Sequence, residues 1–154
     1  IQKIETGIDA IHFEEVVEAM YQVVEKGTGT KAKIKGIEVC GKTGTVQNPH
    51  GDDHSTFISF APKDDPKIAI SVYVENGYWG SRFAGKVASL MIEKHLKGEI
   101  TRTDLEDWLL SHSLENEYAK PYSGKPFKIN GQTELQVIPP EEFNKLKQKL
   151  NQLN

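Results

Sequence analysis

Apolar residues along this chain follow two periods. From Phe13 to Lys26 they recur three and four apart, at Phe13, Val16, Val17, Met20 and Val24. That spacing predicts an amphipathic helix burying this face. Asp9 is placed to cap its start and Gly27 to stop it. Thr28-Gly29-Thr30 reads as a loop. From Ile37 the period falls to two, and three strands are predicted. They are Ile37 to Val46, with Ile37, Val39 and Gly41 on one face; Thr56 to Ala61; and Lys67 to Glu75, with Ile68, Ile70, Val72 and Val74 on one face. The connections QNPHGDDH (47–54) and PKDDP (62–66) are turn chemistry. Links this short imply an antiparallel meander.

Asn76-Gly77 breaks the third strand. A second helix is predicted over Ser81 to Lys97, carrying Phe83, Val87, Leu90, Met91 and Ile92 and ending at Gly98. Thr103-Asp104-Leu105-Glu106 reads as a capping box opening a helix that buries Leu105, Trp108 and Leu109. Pro121 to Pro140 reads as irregular, with one short strand near Leu135 to Ile138. A last amphipathic helix starts at Pro139-Pro140-Glu141-Glu142 and carries Phe143, Leu146, Leu150 and Leu153. There are no internal repeats. The fold class that follows is α+β: a three-stranded antiparallel meander with packed helices.

At 154 residues, the length suits one domain. With 37% hydrophobic and 27% charged residues, the core should be modest. A net charge of −3, with no basic stripe interleaved by aromatics, argues against nucleic acid as a partner. The single cysteine, Cys40, excludes an internal disulfide. No run approaches the ~18 apolar residues of a membrane span, and no signal peptide is visible. The chain begins at Ile1, not Met, so it is expected to be processed, trimmed or cut from something longer. Nothing in it calls for a cofactor.

The chemistry concentrates in GIEVCGKTGT, residues 36–45. Gly36 to Thr43 matches the phosphate-binding pattern G-x-x-x-x-G-K-[ST]. Lys42-Thr43-Gly44 also matches K-T-G, a signature of serine acyl-transfer enzymes that react with penicillin. A phosphate loop needs a helix opening at Lys-Thr, with its N-terminus facing the anion. Here Gly44-Thr45-Val46 follows, β-branched and glycine-broken, and Pro49 ends any helix within two turns. Glu38 would also set negative charge where phosphate belongs. A nucleotide site is therefore rejected.

The K-T-G reading needs a strand, and alternation supplies one. Lys42 offers a fixed ammonium for a substrate carboxylate and for the proton network of a neighbouring serine. Thr43 and Thr45 place hydroxyls two residues apart on one face. Gly44, lacking a side chain, lets a substrate backbone approach. A backbone N–H on such a strand can help hold an oxyanion.

The flanking residues extend the likeness. MYQVV (20–24), GTGT (27–30), GKTGTVQ (41–47), HSTFISFAP (54–62), DPKIAI (65–70) and VENG (74–77) occur in that order. Together they resemble the C-terminal part of a penicillin-binding protein transpeptidase domain, of the elongation-type class B branch usually called penicillin-binding protein 2. The resemblance covers about Phe13 to Leu96; from Lys97 onward none is drawn. It implies a fragment of the five-stranded serine β-lactamase/transpeptidase-like fold, with residues 1–98 as the C-terminal part of that domain and 99–154 as a helical tail. It implies peptidoglycan cross-linking through a serine acyl-enzyme, formed from a D-Ala-D-Ala stem peptide or from a β-lactam. Lys42, Thr43 and Thr45 would hold the carboxylate, with Gly44 between them. Lys42 and Thr45 would take the catalytic roles, the Thr45 N–H forming part of the oxyanion hole. The expected location is the extracytoplasmic face of the bacterial inner membrane, on a parent anchored elsewhere.

One departure is large. The family needs S-x-x-K and S-x-N, both N-terminal to K-T-G. No serine here has Lys three residues later or Asn two later. The chain alone is therefore expected to be inactive and not to be acylated. In the resemblance the last strand pairs with a first strand that is absent here, so an exposed edge and self-association are expected. The alternative is a non-catalytic binding or assembly module of a cell-wall synthesis complex, its tail docking a partner.

Other features carry plainer readings. His50, Asp52, Asp53 and His54 fit a hydrophilic hairpin loop better than a metal site, which wants fixed ligands on rigid elements. Cys40 reads as a packed small residue. Tyr78, Trp79 and Trp108 read as packing residues, with Tyr78-Trp79 placed to rim a site. The stripe of the last helix is too short to specify a coiled coil.

Overall fold

A computed structural model describes residues 5–48, 52–115 and the short strands at 128–129 and 133–134. Helix α1 (Ala10–Lys26) leads through a 3-10 turn (Thr30–Ala32) to strands β1 (Cys40–Val46), β2 (His54–Ala61) and β3 (Ile68–Val74). Helices α2 (Ala84–Lys97) and α3 (Thr103–Ser111) follow. The strands form one antiparallel sheet in the order β1-β2-β3. The α+β meander read from periodicity is the observed fold.

The alternation of β2 explains the layering. Ser55, Phe57, Ser59 and Ala61 are buried, while Ile58 is exposed. Their face meets α2, and Phe57 lies at its centre among Val24, Ala32, Ile34, Val39, Ala84, Ala88 and Ile92. Ile68, Ile70, Val72 and Val74 of β3 pack on this core, as their spacing predicted. Gly41 of β1 lies over the Phe57 ring so closely that an added Cβ would sit 2.3 Å from Phe57 Cζ. Gly98 ends α2 in the left-handed region at φ 81°, where a missing Cβ removes the steric penalty.

Several boundaries differ from expectation. The first strand was expected from Ile37 but begins at Cys40. A turn with Gly36 at φ 80° closes an Ile37 N–H to Ile34 carbonyl bond (3.1 Å), so residues 37–39 leave the turn before they join the sheet. Helix α1 starts three residues before Phe13, and Phe13 and Val16 are exposed rather than buried. Among the described residues only its later part, such as Val24, packs into the core. Asp9 is the N-cap residue of α1, without a side-chain cap bond. In α3 the N-cap is Arg102, not Thr103, and the capping box does not form. Leu105, Trp108 and Leu109 are half-buried, because α3 lies along the outside of α2, with Trp108 on Phe83 and Lys86 and Arg102 on Glu93, and not in the core. Within 121–140, expected to be irregular, Lys128–Ile129 pairs with Thr133–Glu134 as a short hairpin. Leu135 to Ile138 and the predicted last helix lie outside the described residues.

A buried charge ties α3 to the domain. Glu93 on α2 is 1% exposed and accepts from Lys97 (3.2 Å), Thr101 Oγ1 (2.7 Å) and Arg102 Nε (2.9 Å). Arg102 also donates to the Ser89 and Lys33 carbonyls. Burial alone would raise the Glu93 carboxyl, but the hydrogen bonds from Thr101, Arg102 and Lys97 outweigh it and hold it at about 2. Because the folded value is depressed, this stability is fully present above the ordinary carboxyl value of 4.5 and is lost as pH falls toward 2. Urea unfolding followed between pH 5 and 2 should show a drop of roughly 2–3 kcal/mol from this group. Glu93→Gln should lower stability near neutral pH by about 3 kcal/mol and flatten that acid limb. An unchanged limb would mean that the carboxylate is not held this way.

Candidate functional site

The K-T-G residues lie on β1, which pairs with β2 on one side and with no other strand among the described residues. No helix follows Lys42-Thr43, as the rejection of a phosphate loop required. Thr43 stands opposite Phe57 and Thr45 opposite Ser55, so both hydroxyls face the core side. Lys42 stands opposite Ile58 and starts from the other face. The ammonium bends back to the strand, where Nζ donates to the Thr43 carbonyl (2.7 Å). Among the described residues no carboxylate pairs with it. Lysine and threonines are thus joined through the backbone of one strand, not side by side on one face.

Each threonine is positioned from a different element. Thr43 Oγ1 shares a hydrogen bond with Thr28 Oγ1 (2.8 Å), in the loop after α1. Thr45 Oγ1 accepts the Gly80 N–H (3.3 Å), from the segment before α2. That accepting role leaves the Thr45 proton available to a ligand. Gly80 itself lies against the strand: a Cβ there would sit 2.6 Å from the Gly44 carbonyl oxygen and 2.8 Å from its nitrogen. Gly44 is equally constrained on the other face, where a Cβ would fall 2.2 Å from Thr56 Oγ1.

Ser55 locks this arrangement. Its hydroxyl is fully buried, donates to the Gly80 carbonyl (3.1 Å) and accepts the Ala84 N–H at the start of α2 (3.2 Å). Thr45, Gly80, Ser55 and α2 are therefore one connected unit. The segment before Gly80 is conformationally costly, with Asn76 and Tyr78 both at positive φ (52° and 69°). Arg82 stacks over the Tyr78 ring at 4.0 Å and over Trp79 at 5.0 Å. Trp79 is exposed, so it rims the segment and is not a core residue.

The remaining polar candidates have structural partners. Asp53 Oδ1 accepts the Asn48 N–H (3.2 Å), and Asn48 Nδ2 reaches Asn76 Oδ1 (2.7 Å). His54 Nδ1 accepts the Asn76 N–H (3.0 Å). These bonds fasten the β1–β2 turn to the end of β3; His50 lies outside the described residues. Cys40 is fully buried beside the Val17 carbonyl (3.6 Å), and burial pushes its thiol up to about 11. A thiol held in that form is a poor nucleophile.

This ordered geometry has close counterparts. The family model for the penicillin binding protein transpeptidase domain matches residues 2–97. The chain belongs to that family. The expected class B likeness is borne out by relatives. Peptidoglycan D,D-transpeptidase PbpA of Mycobacterium tuberculosis is 37% identical over 86 residues, covering 49% of this chain and 17% of the relative. MrdA of Acinetobacter baumannii is 37% identical over 82 residues, 44% of this chain and 12% of the relative. Among solved structures, the D,D-transpeptidase domain of a peptidoglycan glycosyltransferase from Eggerthella lenta superposes with a TM-score of 0.57 at 29% identity, covering 63% of this chain and 22% of that one. The imipenem acyl-enzyme complex of penicillin-binding protein A from M. tuberculosis gives 0.54 at 29% identity, covering 62% and 21%. The chain thus spans less than a quarter of the length of each of these proteins.

Sequence reasoning singled out Lys42 to Thr45 but missed Thr28, Ser55 and Gly80 as their supports. Ser55 had a faint signal, since it falls in phase with Phe57 at a buried position. Gly80 had none, because its role comes from a close approach across 36 residues. In this transpeptidase segment, Ser55→Ala should leave the Gly80 carbonyl and Ala84 N–H without their partner and cost about 1–3 kcal/mol. Gly80→Ala should cost about as much by pushing the 76–80 segment off β1. Thermal unfolding of both variants checks this; wild-type melting temperatures would refute the connected unit.

Proposed function

We propose that this chain is the C-terminal part of a peptidoglycan D,D-transpeptidase domain and supplies one wall of its active site. The observation that carries this reading is the edge of β1, unpaired among the described residues, where Lys42, Thr43 and Thr45 converge on one strand and Thr28 and Gly80 hold the threonines in place. A carboxylate at that edge would take the Lys42 ammonium and the Thr45 proton together, as charge-assisted bonds to one anion. The stem-peptide terminus and a β-lactam both present such a group. The Thr45 N–H would add a backbone donor where an oxyanion develops.

The attacking group is not in this chain. Ser55 and Ser59 are the serines opposite the K-T-G strand; both are buried, and Ser55 spends both its donor and acceptor roles internally. A serine from the remainder of the domain would attack the acyl carbonyl, and Lys42 would assist its proton network. The chain alone would then be inactive, and the reading places the working protein on the extracytoplasmic side of a bacterial membrane. It also sets residues 99–154 apart as a tail, fastened through Arg102 to Glu93.

Incubated with a fluorescent penicillin, this chain should carry no covalent label after denaturing electrophoresis. The intact transpeptidase containing it should be labelled, and Lys42→Ala there should slow acylation by about 10²–10³-fold, the range for losing one oriented electrostatic contact. Stoichiometric labelling of the isolated chain would defeat the fragment reading. Full-rate acylation of the Lys42→Ala protein would defeat the role of β1.

A further inference from the structure

We infer that Arg82 is a positioning residue for the ligand-binding hydroxyl of Thr45, acting through the aromatic rings of the segment 76–80. The inference rests on the transpeptidase reading for its ligand, a carboxylate, but not for its geometry. Residues 76–80 join β3 to α2 and carry the Gly80 N–H that Thr45 Oγ1 accepts (3.3 Å). Asn76, at φ 52°, is fixed by the bond from its N–H to His54 Nδ1 (3.0 Å). Gly80 is fixed at its carbonyl by the Ser55 hydroxyl (3.1 Å). Tyr78 lies between them at φ 69°. Asparagine tolerates the left-handed region, but a tyrosine there is strained. Arg82 supplies a hold on it, with the guanidinium carbon 4.0 Å from the centre of the Tyr78 ring. The same group lies 5.0 Å from the Trp79 ring and 5.7 Å from that of Phe83.

The guanidinium has reason to stay on these rings. Among the described residues no carboxylate forms an ion pair with it. Its charged neighbours are alike in sign: the Lys86 ammonium is held below the ordinary lysine range by burial first, and then by Lys31 and Arg82. The ring faces are therefore the negative surface within its reach. The Arg82 N–H also donates to the Trp79 carbonyl (2.9 Å), a turn that brings the side chain back over the rings. The attraction of a cation to aromatic faces and the strain of a bulky residue at positive φ are of the same order, so the first can offset the second. Without the guanidinium, Tyr78 would relax toward negative φ and turn the peptide between residues 79 and 80. Ser55 holds the Gly80 carbonyl, which belongs to the next peptide, so it cannot keep the Gly80 N–H in place. That N–H bond, already long at 3.3 Å, would be the first to go. The Thr45 oxygen would then lose the donor that fixes its lone pair, and its proton could turn to a backbone carbonyl instead of the ligand.

In the intact transpeptidase containing this chain, acylation by a fluorescent penicillin at varied concentration separates the pre-acylation dissociation constant from the acylation rate. Arg82→Ala should raise that constant about tenfold, the size of one ring–cation contact, and leave the rate within about twofold. In a Thr45→Val background the same substitution should change the constant by less than about twofold, because the hydroxyl it positions is gone. Tyr78→Gly removes the strain and should restore most of the affinity lost in Arg82→Ala. Arg82→Lys keeps a cation over the rings and should retain most of it. Hydrogen exchange of the Gly80 amide needs no ligand, and should speed up about tenfold in Arg82→Ala. An unchanged Gly80 amide, or an effect on the constant that persists undiminished in Thr45→Val, would overturn the inference. A faster Gly80 amide alongside labelling that ignores Lys42→Ala, Thr45→Val and Arg82→Ala alike would support the fastening and defeat the transpeptidase reading instead.

Discussion

The fold depends on one close contact: the Phe57 ring lying under a glycine. Phe57 is fully buried at the centre of β2, and Gly41 is the place where β1 crosses it. Any side chain at Gly41 would lift β1 off the core. β1 in turn carries Lys42, Thr43 and Thr45, so the height of the candidate site above the core is set one residue before it begins. The same ring approaches Gly29 in the loop that brings Thr28 to Thr43. A single large aromatic therefore places both the strand and the loop that braces it. In a chain this polar, that concentration is expected: a modest core must draw much of its stabilisation from a few large buried groups.

Beyond that core, specificity comes from polar groups that are fully used. Ser55 spends its donor and its acceptor on two segments of backbone, and Glu93 spends its oxygens on three donors. Leaving either half-satisfied would cost more than the bond contributes, because desolvation has already occurred. Each therefore acts as an all-or-none fastener. Ser55 fixes the segment before α2 against β1, and Glu93 fixes the segment after α2 to its last turns. Helix α2 is the shared element between them, which connects the site to the point where the rest of the chain departs.

Patterning made the strands and their order legible. A period of two over Lys67 to Glu75 has no helical equivalent, and turns rich in Pro, Gly and Asp leave little choice but an antiparallel meander. The K-T-G stretch was legible for a stronger reason: what followed Lys42-Thr43 could not form a helix. Burial was less legible. Phe13 and Val16 fit the apolar stripe of α1 and yet are exposed, because a stripe states which side is apolar and not whether another layer reaches it. The face relation of Lys42 to Thr43 and Thr45, by contrast, follows from strand alternation itself. Adjacent residues on a strand must point to opposite faces, so any ligand that uses all three is met at the strand edge, not over a face.

That last point bears on why the two edges of one small sheet differ. At β1, Gly80 pressed against Gly44 and the paired threonines keep the strand narrow on its core face, while Lys42 adds a charge beside it. Under the proposed reading, such an edge would favour an extended segment that ends in a carboxylate over an uncharged strand, which would leave the ammonium uncompensated. At β3 the charges stand only at the two ends, with aliphatic, small and one aromatic side chain (Tyr73) between. Backbone hydrogen bonds are offered equally by both edges. The side chains along each decide what can accept them.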